Sequence, residues 1–293
     1  MKYLENHPMA VIVVGIVGIS LSAILVRYSV APSAVTAAWR LLWTVLLMLP
    51  IALGKADIRR EITKADKKSL LISACSGLFL AAHFILWFDS LSMTSVASAT
   101  TLVCTEVIWV SLGYCLLWKG KLSLRAAATI AFTFLGSALI ALGDSGAGEG
   151  HLRGDILAVL AATCSAAYML LGRSAQKKLS TTAYTFVVYC ASALALVLAS
   201  LIQRQGLFSY GTNPVLVGLA LAVCSTLLGH TIFSWCLKFF SPSFVSACKL
   251  LEPVGAGILA VFLFGEIPGN MALIGAAMIL LGVWYYAKIE QRK

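Results

Sequence analysis

The chain carries few charged residues for its length. Asp, Glu, Lys and Arg make up 12% of its 293 residues, whereas hydrophobic residues make up 60%. A soluble domain would carry about twice that charged fraction. The longest polar stretch, Lys55 to Lys68, is interpreted as a short charged loop. The sequence therefore offers no segment long enough to form a separate soluble domain.

The sequence also lacks short motifs of catalysis and metal binding. It contains no H-E-x-x-H, no G-x-S-x-G and no C-x-x-C. All eight cysteines fall inside apolar segments, where free thiols pack as small apolar groups. We therefore expect no disulfide framework, no metal site and no cofactor. The net charge of +10 is not pooled on one soluble face, so we expect no nucleic-acid partner.

What the sequence does contain is ten long apolar runs. About 20 apolar residues suffice to span a bilayer, and lipid offers the backbone no hydrogen-bond partner, which favours helices. The runs lie at roughly 8–28, 33–53, 69–90, 95–117, 123–142, 154–172, 181–202, 213–237, 242–264 and 270–287. We expect the first to remain as an uncleaved spanning helix, because it exceeds a signal-peptide core in length. The predicted fold is an all-α integral membrane protein with ten transmembrane helices, surrounded by the lipid bilayer.

The second half of the chain resembles the first. Matching residues are His83 with His230, 147 positions apart, and Glu106 with Glu252 and Gly136 with Gly282, each 146 apart. Each copy ends a block of five apolar runs, and an odd number of crossings inverts the second block. We therefore predict two inverted five-helix repeats, residues 1–143 and 154–293, within one transmembrane domain. Inverted repeats recur in secondary transporters, whose substrate site lies near the midplane between the halves.

The basic residues predict the orientation. If both termini are cytoplasmic, 17 of the 22 Lys and Arg residues face the cytoplasm and three, Arg27, Arg153 and Arg204, face outward. Arg40 and Lys249 lie inside spans. This asymmetry favours a multi-pass protein of the inner cell membrane with cytoplasmic N- and C-termini.

Ionisable residues at membrane depth are candidates for function. Such groups are costly in lipid and usually face a partner or a water-filled cavity. The six that stand out are Arg40, His83, Glu106, His230, Lys249 and Glu252. Glu252 and Glu106 are candidate proton carriers, because burial disfavours a charged carboxylate.

Lys249 and Glu252 share one helix face, since they are three residues apart. One interpretation is that they bind the carboxylate and the amine of a zwitterionic substrate. The other is that they neutralise each other, or pair with Arg40, as structure only. His83 and His230 have two interpretations as well, either packed support of the repeat interface or a cavity lining that relays protons.

Further candidates lie beside these charges. Trp39, Tyr168 and Tyr189 either line the cavity or pack between helices, and Trp39 is favoured for the cavity because it neighbours Arg40. Pro253 removes one backbone N–H and so opens the helix beside Glu252. Small residues four apart predict close helix contacts. They are Gly18 with Ser22, Ser73 with Gly77, and Ala256 with Ala260.

Three segments of the second half resemble the EamA-type, ten-helix branch of the drug/metabolite transporter superfamily. They are Ser241–Pro253 with its Glu-Pro pair, Leu263–Glu266 with a Gly-Glu, and the glycine-containing Leu273–Val283. Arg40, Tyr168 and Arg173 also lie where that family tends to place such residues. The resemblance implies export, less often uptake, of amino acids, related metabolites or drugs. It also implies a cavity surrounded by helices 1–4 and 6–9.

The chain departs from the family pattern in two ways. The first half has Glu106-Val107 where the proline would lie, and Gly120-Lys121 where the Gly-Glu would lie, so the halves are unequal. Lys249 beside the Glu-Pro pair is not a general feature of the family, and we expect it to affect substrate choice.

The leading hypothesis is a secondary transporter that exports small polar or zwitterionic metabolites, such as amino acids, by alternating access. The substrate is a small molecule, protons are a candidate coupling partner, and either a monomer or a homodimer fits. The alternative is a membrane-embedded enzyme acting on a lipid or lipid-linked substrate, because buried His, Glu and Lys are also catalytic residue types. A non-transporting assembly or sensor subunit fits the repeat and the buried charges poorly.

The orientation generates a direct test. We predict that residues 144–153 face outward, so a cysteine placed at Ser145 in a cysteine-free background should react with an impermeant reagent on intact cells. Reaction only after permeabilisation would contradict both the topology and the inverted repeat.

Overall fold

The structure is a computed structural model of the whole chain, and it describes residues 7–94, 96–144, 152–264 and 269–290. Helices follow the apolar runs along the chain, and the all-α membrane fold is confirmed. Ser145 and the Gly-Glu at residues 265–266 lie outside the described residues.

Ten spans are numbered here in chain order. They are span 1, Pro8–Ser20 and Ser22–Arg27; span 2, Ser33–Gly54; span 3, Lys67–Met93; span 4, Val96–Val103 and Glu106–Trp118; span 5, Leu124–Asp144; span 6, Leu152–Ala175; span 7, Thr181–Ile202; span 8, Asn213–Ala220, the π-helix Leu221–His230 and Thr231–Cys236; span 9, Pro242–Cys248, the 3₁₀ turn Lys249–Leu251 and Glu252–Phe264; and span 10, Asn270–Glu290. Within the described ranges, eight spans are long and apolar enough to cross a membrane. Span 5 is shorter in its apolar part, Leu124–Ile140, and span 9 is divided by its 3₁₀ turn.

The charged stretch from Lys55 to Lys68 is not the loop expected from its composition. Residues Ala56–Lys64 form a helix between spans 2 and 3. The carboxylate of Glu61 accepts hydrogen bonds from the backbone N–H and the hydroxyl of Ser180, the residue that caps span 7. Ile58 and Ile62 lie four residues apart and therefore on one face of this helix, and both are partly buried. Glu61 links the helix to span 7.

Local sequence fixes where several spans begin. The side chains of Asp66, Ser180 and Ser241 accept a hydrogen bond from the backbone N–H three residues later, at the starts of spans 3, 7 and 9. The Ser69 hydroxyl also donates to Asp66, which holds the pKa of that carboxyl below its usual value. Prolines occupy the first turns of spans 1, 8 and 9, where a missing N–H has no cost.

The spans pack in a pattern that respects the repeat. Span 3 packs along span 6, and span 1 packs along span 8. Exchanging the two five-span halves turns one of these pairs into the other. Spans 2 and 7, 4 and 9, and 5 and 10 each pack against their own counterpart. These contacts are what a two-fold relation between the halves requires.

Spans 5 and 10 meet through glycine. A Cβ placed on Gly275 would lie 2.4 Å from the carbonyl oxygen of Gly136, and one placed on Gly136 would lie 2.7 Å from that of Gly275. A Cβ on Gly282 would meet the hydroxyl of Thr133. These helix backbones are therefore in direct contact, and any side chain at Gly275 or Gly136 would push them apart.

Two of the predicted small-residue contacts also bring backbones together. A Cβ on Gly18 in span 1 would lie 2.5 Å from the carbonyl oxygen of Cys224 in span 8. Gly77 in span 3 lies equally close to span 7, and its carbonyl accepts a 2.6 Å hydrogen bond from Ser192. The side chain of Ala260, in the third pair, lies outside the described residues.

The contact between spans 5 and 10 can be tested with one methyl group. We predict that Gly275→Ala lowers the free energy of unfolding by about 1–3 kcal/mol, because the methyl group would overlap a backbone carbonyl. Gly257→Ala is the control, since no heavy atom lies within 4 Å of its added Cβ. Alanine is the better helix former by up to about 1 kcal/mol, so this control should not lose stability. Thermal unfolding in detergent measures both, and equal melting temperatures would contradict the contact.

Candidate functional site

A small buried cavity lies between the two halves. Its volume is about 40 Å³, room for a few water molecules, since about 10–15 Å³ of such space holds one. Its lining residues come from spans 1, 3, 4, 6, 8 and 9. They are Ile19, Ser22, His83, Trp87, Val103, Cys104, Glu106, Ser165, His230, Ser246, Lys249 and Glu252. All twelve are buried, so the cavity is closed.

A break in span 9 brings Lys249 and Glu252 to this cavity. Pro253 has no N–H, so the carbonyl of Lys249, four residues earlier, cannot accept the usual α-helical hydrogen bond and accepts one from the backbone N–H of Glu252 instead. The helix tightens into the 3₁₀ turn Lys249–Leu251 just before Glu252. The thiol of Cys104 lies 3.9 Å from the same Lys249 carbonyl and also donates to it. Span 4 thus stabilises the break in span 9.

Span 4 is interrupted at the matching place although it has no proline. Its two helices end at Val103 and begin at Glu106. The hydroxyl of Thr105 donates to the carbonyl of Leu102 at 2.7 Å, and so occupies an acceptor near the break. The sequence predicted an opened helix only beside Pro253, but both halves have one before their buried glutamate.

Lys249 is paired with Glu106, from the other half of the chain. Its ammonium donates to both carboxylate oxygens, at 2.9 and 3.0 Å. Glu106 also accepts a 2.6 Å hydrogen bond from Ser165. The expectation that Lys249 and Glu252 neutralise each other, or that they pair with Arg40, is therefore wrong. Spacing along one helix could not reveal a partner that is 143 positions away in the sequence.

Glu252 is left without such a partner. It is 8% exposed and lines the cavity, yet its carboxylate makes no hydrogen bond or ion pair within the described part of the chain. Its backbone carbonyl lies 3.4 Å from the hydroxyl of Ser20 in span 1, which donates to it. An unpaired carboxylate inside an apolar bundle is costly, so such a group usually faces a partner or a water-filled cavity.

Arg40 is completely buried, at 0% exposure, in span 2. Its Nε donates to the hydroxyl of Thr226 at 2.7 Å, and its Nη1 donates to the hydroxyl of Ser22 at 3.3 Å. The guanidinium also lies 4.1 Å from the centre of the Phe84 ring. None of the described carboxylates forms an ion pair with it.

The two matched histidines meet in the cavity wall. The ring centres of His83 and His230 are 6.2 Å apart. Nδ1 of His83 lies 3.0 Å from the carbonyl of Ala161, and its ring stacks on Trp87. The repeat therefore brings its histidines together, whether they support the interface or move protons.

The predicted aromatic residues take different places. The hydroxyls of Tyr168 and Tyr189 lie 2.7 and 2.9 Å from those of Ser234 and Thr231, so both tyrosines join spans 6 and 7 to span 8. Trp39 does not reach the cavity. Its indole donates to the carbonyl of Leu207 at 3.0 Å, because adjacent residues on a helix point about 100° apart.

Sequence reasoning missed the hydroxyl partners of the buried charges. Ser165 bonds Glu106, and Ser22 and Thr226 bond Arg40. Small hydroxyl residues are common in membrane helices, where they often bond their own backbone, so their type alone does not identify them. Phe84 was missed because an aromatic residue next to His83 has no polar signature.

The described residues contain no group of three or more His, Cys, Asp or Glu side chains that could hold a metal ion. All eight cysteines are free thiols. The polar atoms of the cavity are thus charges, hydroxyls and imidazoles, which suit the binding of a polar molecule or of protons.

The ion pair between Lys249 and Glu106 can be tested by a double-mutant cycle. Glu106→Gln and Lys249→Met should each lower the free energy of unfolding by about 3–5 kcal/mol, because each leaves a buried charge without its partner. The double variant should recover most of the loss. Glu252→Gln is the matched control and should not lose stability, since its carboxylate has no partner to lose. Thermal unfolding in detergent gives the coupling, and strictly additive losses would contradict the pair.

Comparisons with known proteins agree with this architecture. The family model described as the EamA-like transporter family matches residues 8–142 and again residues 152–287. A solved crystal structure superposes with a TM-score of 0.77 over 98% of both chains at 16% identity, a likeness that concerns the fold alone.

The relatives named as transporters include the following two. An uncharacterized transporter of Bacillus subtilis (strain 168) is 25% identical over 222 residues, 75% of this chain and 70% of that protein. The S-adenosylmethionine/S-adenosylhomocysteine transporter of Chlamydia trachomatis serovar L2 is 27% identical over 146 residues, 46% of this chain and 44% of that protein. The resemblance predicted from the Glu-Pro and glycine motifs is confirmed, and the chain belongs to the EamA-like transporter family.

Proposed function

We propose that this protein is a secondary transporter that exports a small polar or zwitterionic metabolite, an amino acid or a related compound, by alternating access. The observation that carries the proposal is the unpaired Glu252 in a buried cavity lined by both halves. Burying a carboxylate without a partner is costly, so such a group is usually functional. A proton or a substrate ammonium would supply the missing positive charge.

The proposed units of movement are residues 1–143 and 154–293, as inverted halves. Glu106 lies in the first half and Lys249 in the second, so their ion pair spans the boundary between the units. The cavity of about 40 Å³ is too small for an amino acid. Substrate binding therefore requires the halves to separate around the ion pair, first at one end of the bundle and then at the other.

Contacts between the halves exist at both ends of the bundle and support this scheme. Near the basic end, Glu61 binds Ser180. Near the opposite end, the amide of Asn213 donates to the carbonyl of Tyr28 at 3.0 Å, and Trp39 donates to Leu207. Each set links the first half to the second, and each consists of a few hydrogen bonds that can break while the other set holds.

The distribution of basic residues supports the proposed membrane and orientation, and the proposed proton site supports the direction of transport. The 17-to-3 distribution of Lys and Arg supports the inner membrane with both termini cytoplasmic. Proton entry at Glu252 would then drive export. The Chlamydia trachomatis relative supports the substrate class, because S-adenosylmethionine and S-adenosylhomocysteine both carry an α-amino acid group.

The test is transport in proteoliposomes. The probe is whichever of the twenty L-amino acids and S-adenosylmethionine raises the melting temperature of detergent-purified protein most. Wild type should release this compound faster into a more acidic medium. Glu252→Gln should lose that acceleration, because a neutral amide cannot carry the proton, yet it should retain exchange of internal for external compound when the compound is saturating on both sides.

Asp57→Asn provides the control, since it makes the same change at an exposed carboxylate outside the cavity. The recovered compound should be chemically unchanged, which separates a transporter from a membrane-embedded enzyme. Normal acid-driven release by Glu252→Gln would contradict proton coupling at Glu252. Failure of every compound to move would contradict the substrate class.

A further inference from the structure

Three buried hydrogen-bonding atoms around the cavity have no partner. They are Nη2 of Arg40, Nε1 of Trp87 and Nδ1 of His230, each unbonded within the part of the chain that the structure describes. Buried polar atoms in folded proteins are nearly always satisfied, so unpaired ones at a single site need an explanation. Indole and guanidinium nitrogens can only donate, and an imidazole nitrogen can also do so. The site therefore offers donors without an acceptor.

These atoms belong to one cluster. Phe84 lies between two of their side chains, 4.1 Å from the guanidinium carbon of Arg40 and 5.3 Å, centre to centre, from the ring of His230. Trp87 and His230 line the cavity. Arg40 lies directly behind Ser22, a lining residue that accepts its Nη1–H. When the cavity widens, a movement of Ser22 would bring the guanidinium to its surface.

The charges around the cavity are not balanced locally. Lys249 is neutralised by Glu106, at 2.9 Å. That leaves a cation, Arg40, and an anion, Glu252, without an ion-pair partner among the described residues. Glu252 lines the same cavity as Ser22, which accepts a hydrogen bond from Arg40, so both charges lie at one site without forming an ion pair. A cation and an anion held apart in a buried site form a receptor for a molecule with one charge of each sign.

We propose that the transported compound is an α-amino acid or a molecule with an α-amino acid group, whose carboxylate binds Arg40, Trp87 and His230 and whose ammonium binds Glu252. This deepens the proposed function and rests on it. In the sequence interpretation, Lys249 bound the carboxylate of the substrate. Here Arg40 takes that role. A carboxylate has two oxygens and about four acceptor positions, which matches the three unpartnered donors. Arginine suits such a contact because its planar fork can hold both oxygens.

Wild-type protein alone can test the pairing of charges. The probes are the twenty free L-amino acids and, for the tightest binder, its carboxamide, which lacks the carboxylate, and its N-acetyl derivative, which lacks the ammonium. Dissociation constants come from thermal shifts of detergent-purified protein. Each derivative should bind about 10- to 100-fold more weakly than the free amino acid, the size of one lost charge-assisted interaction. Equal binding of all three compounds, or no binding of any amino acid, would overturn the proposal.

Two variants then assign each charge to its residue. Arg40→Met should weaken binding of the free amino acid about 10- to 100-fold and leave the affinity for the carboxamide unchanged. Glu252→Gln should weaken binding of the free amino acid and leave the affinity for the N-acetyl derivative unchanged. Arg125→Met is the matched control for loss of an arginine, since Arg125 is exposed at the start of span 5. If Arg40→Met weakened all three compounds equally, Arg40 would be structural and the proposal wrong.

Arg40→Lys covers the case in which Arg40→Met does not fold, because it keeps the charge but loses the fork. It should reduce the preference for the free acid over the carboxamide without changing the preference over the N-acetyl derivative. An unchanged preference for the acid would contradict the role of Arg40. The proposed transport function survives separately if another compound is released faster into acidic medium although no amino acid binds.

Discussion

The ion pair between Lys249 and Glu106 is the contact on which the centre of this protein depends. It joins span 9 to span 4. Among the buried charges Arg40, Glu106, Lys249 and Glu252, it neutralises Lys249 with Glu106. Both partners lie at a helix break, since Glu106 begins the second helix of span 4 and Lys249 begins the 3₁₀ turn of span 9. Without the pair, two unbalanced charges would lie in the middle of an apolar bundle, where neither is stable alone.

Much of the fold could be predicted from the sequence because the bilayer restricts the choice of structure. Apolar length gave the spans, and the matched His83 and His230 indicated a repeat whose histidines now meet, with ring centres 6.2 Å apart. The helix Ala56–Lys64 was missed because its stability depends on the contact between Glu61 and Ser180, which is distant in the sequence. Local composition carries no information about such a partner.

The site was less accessible to prediction, and the reason is geometric. The ionisable residues could be found by type, but their pairing could not. Lys249 and Glu252 share a helix face, yet the break between them leads Lys249 to Glu106 instead. Trp39 lies next to Arg40 in the chain but bonds Leu207, away from the cavity. Adjacency along a helix is a poor guide to adjacency in a bundle.

The π-helix of span 8 explains why the two matched histidines are separated by one residue more than the other matched pairs. The caps Asp66 and Thr212 are 146 positions apart, whereas His83 and His230 are 147 apart, so span 8 holds one extra residue before its histidine. A π-helix absorbs such an insertion by widening. Within it, the hydroxyl of Thr226 donates to the carbonyl of Leu221, five residues earlier, at 3.3 Å. Span 3 has no such irregularity. We therefore expect span 8 to be less stiff than span 3, its counterpart. Bending should concentrate in span 8, while span 3 moves as one rigid helix.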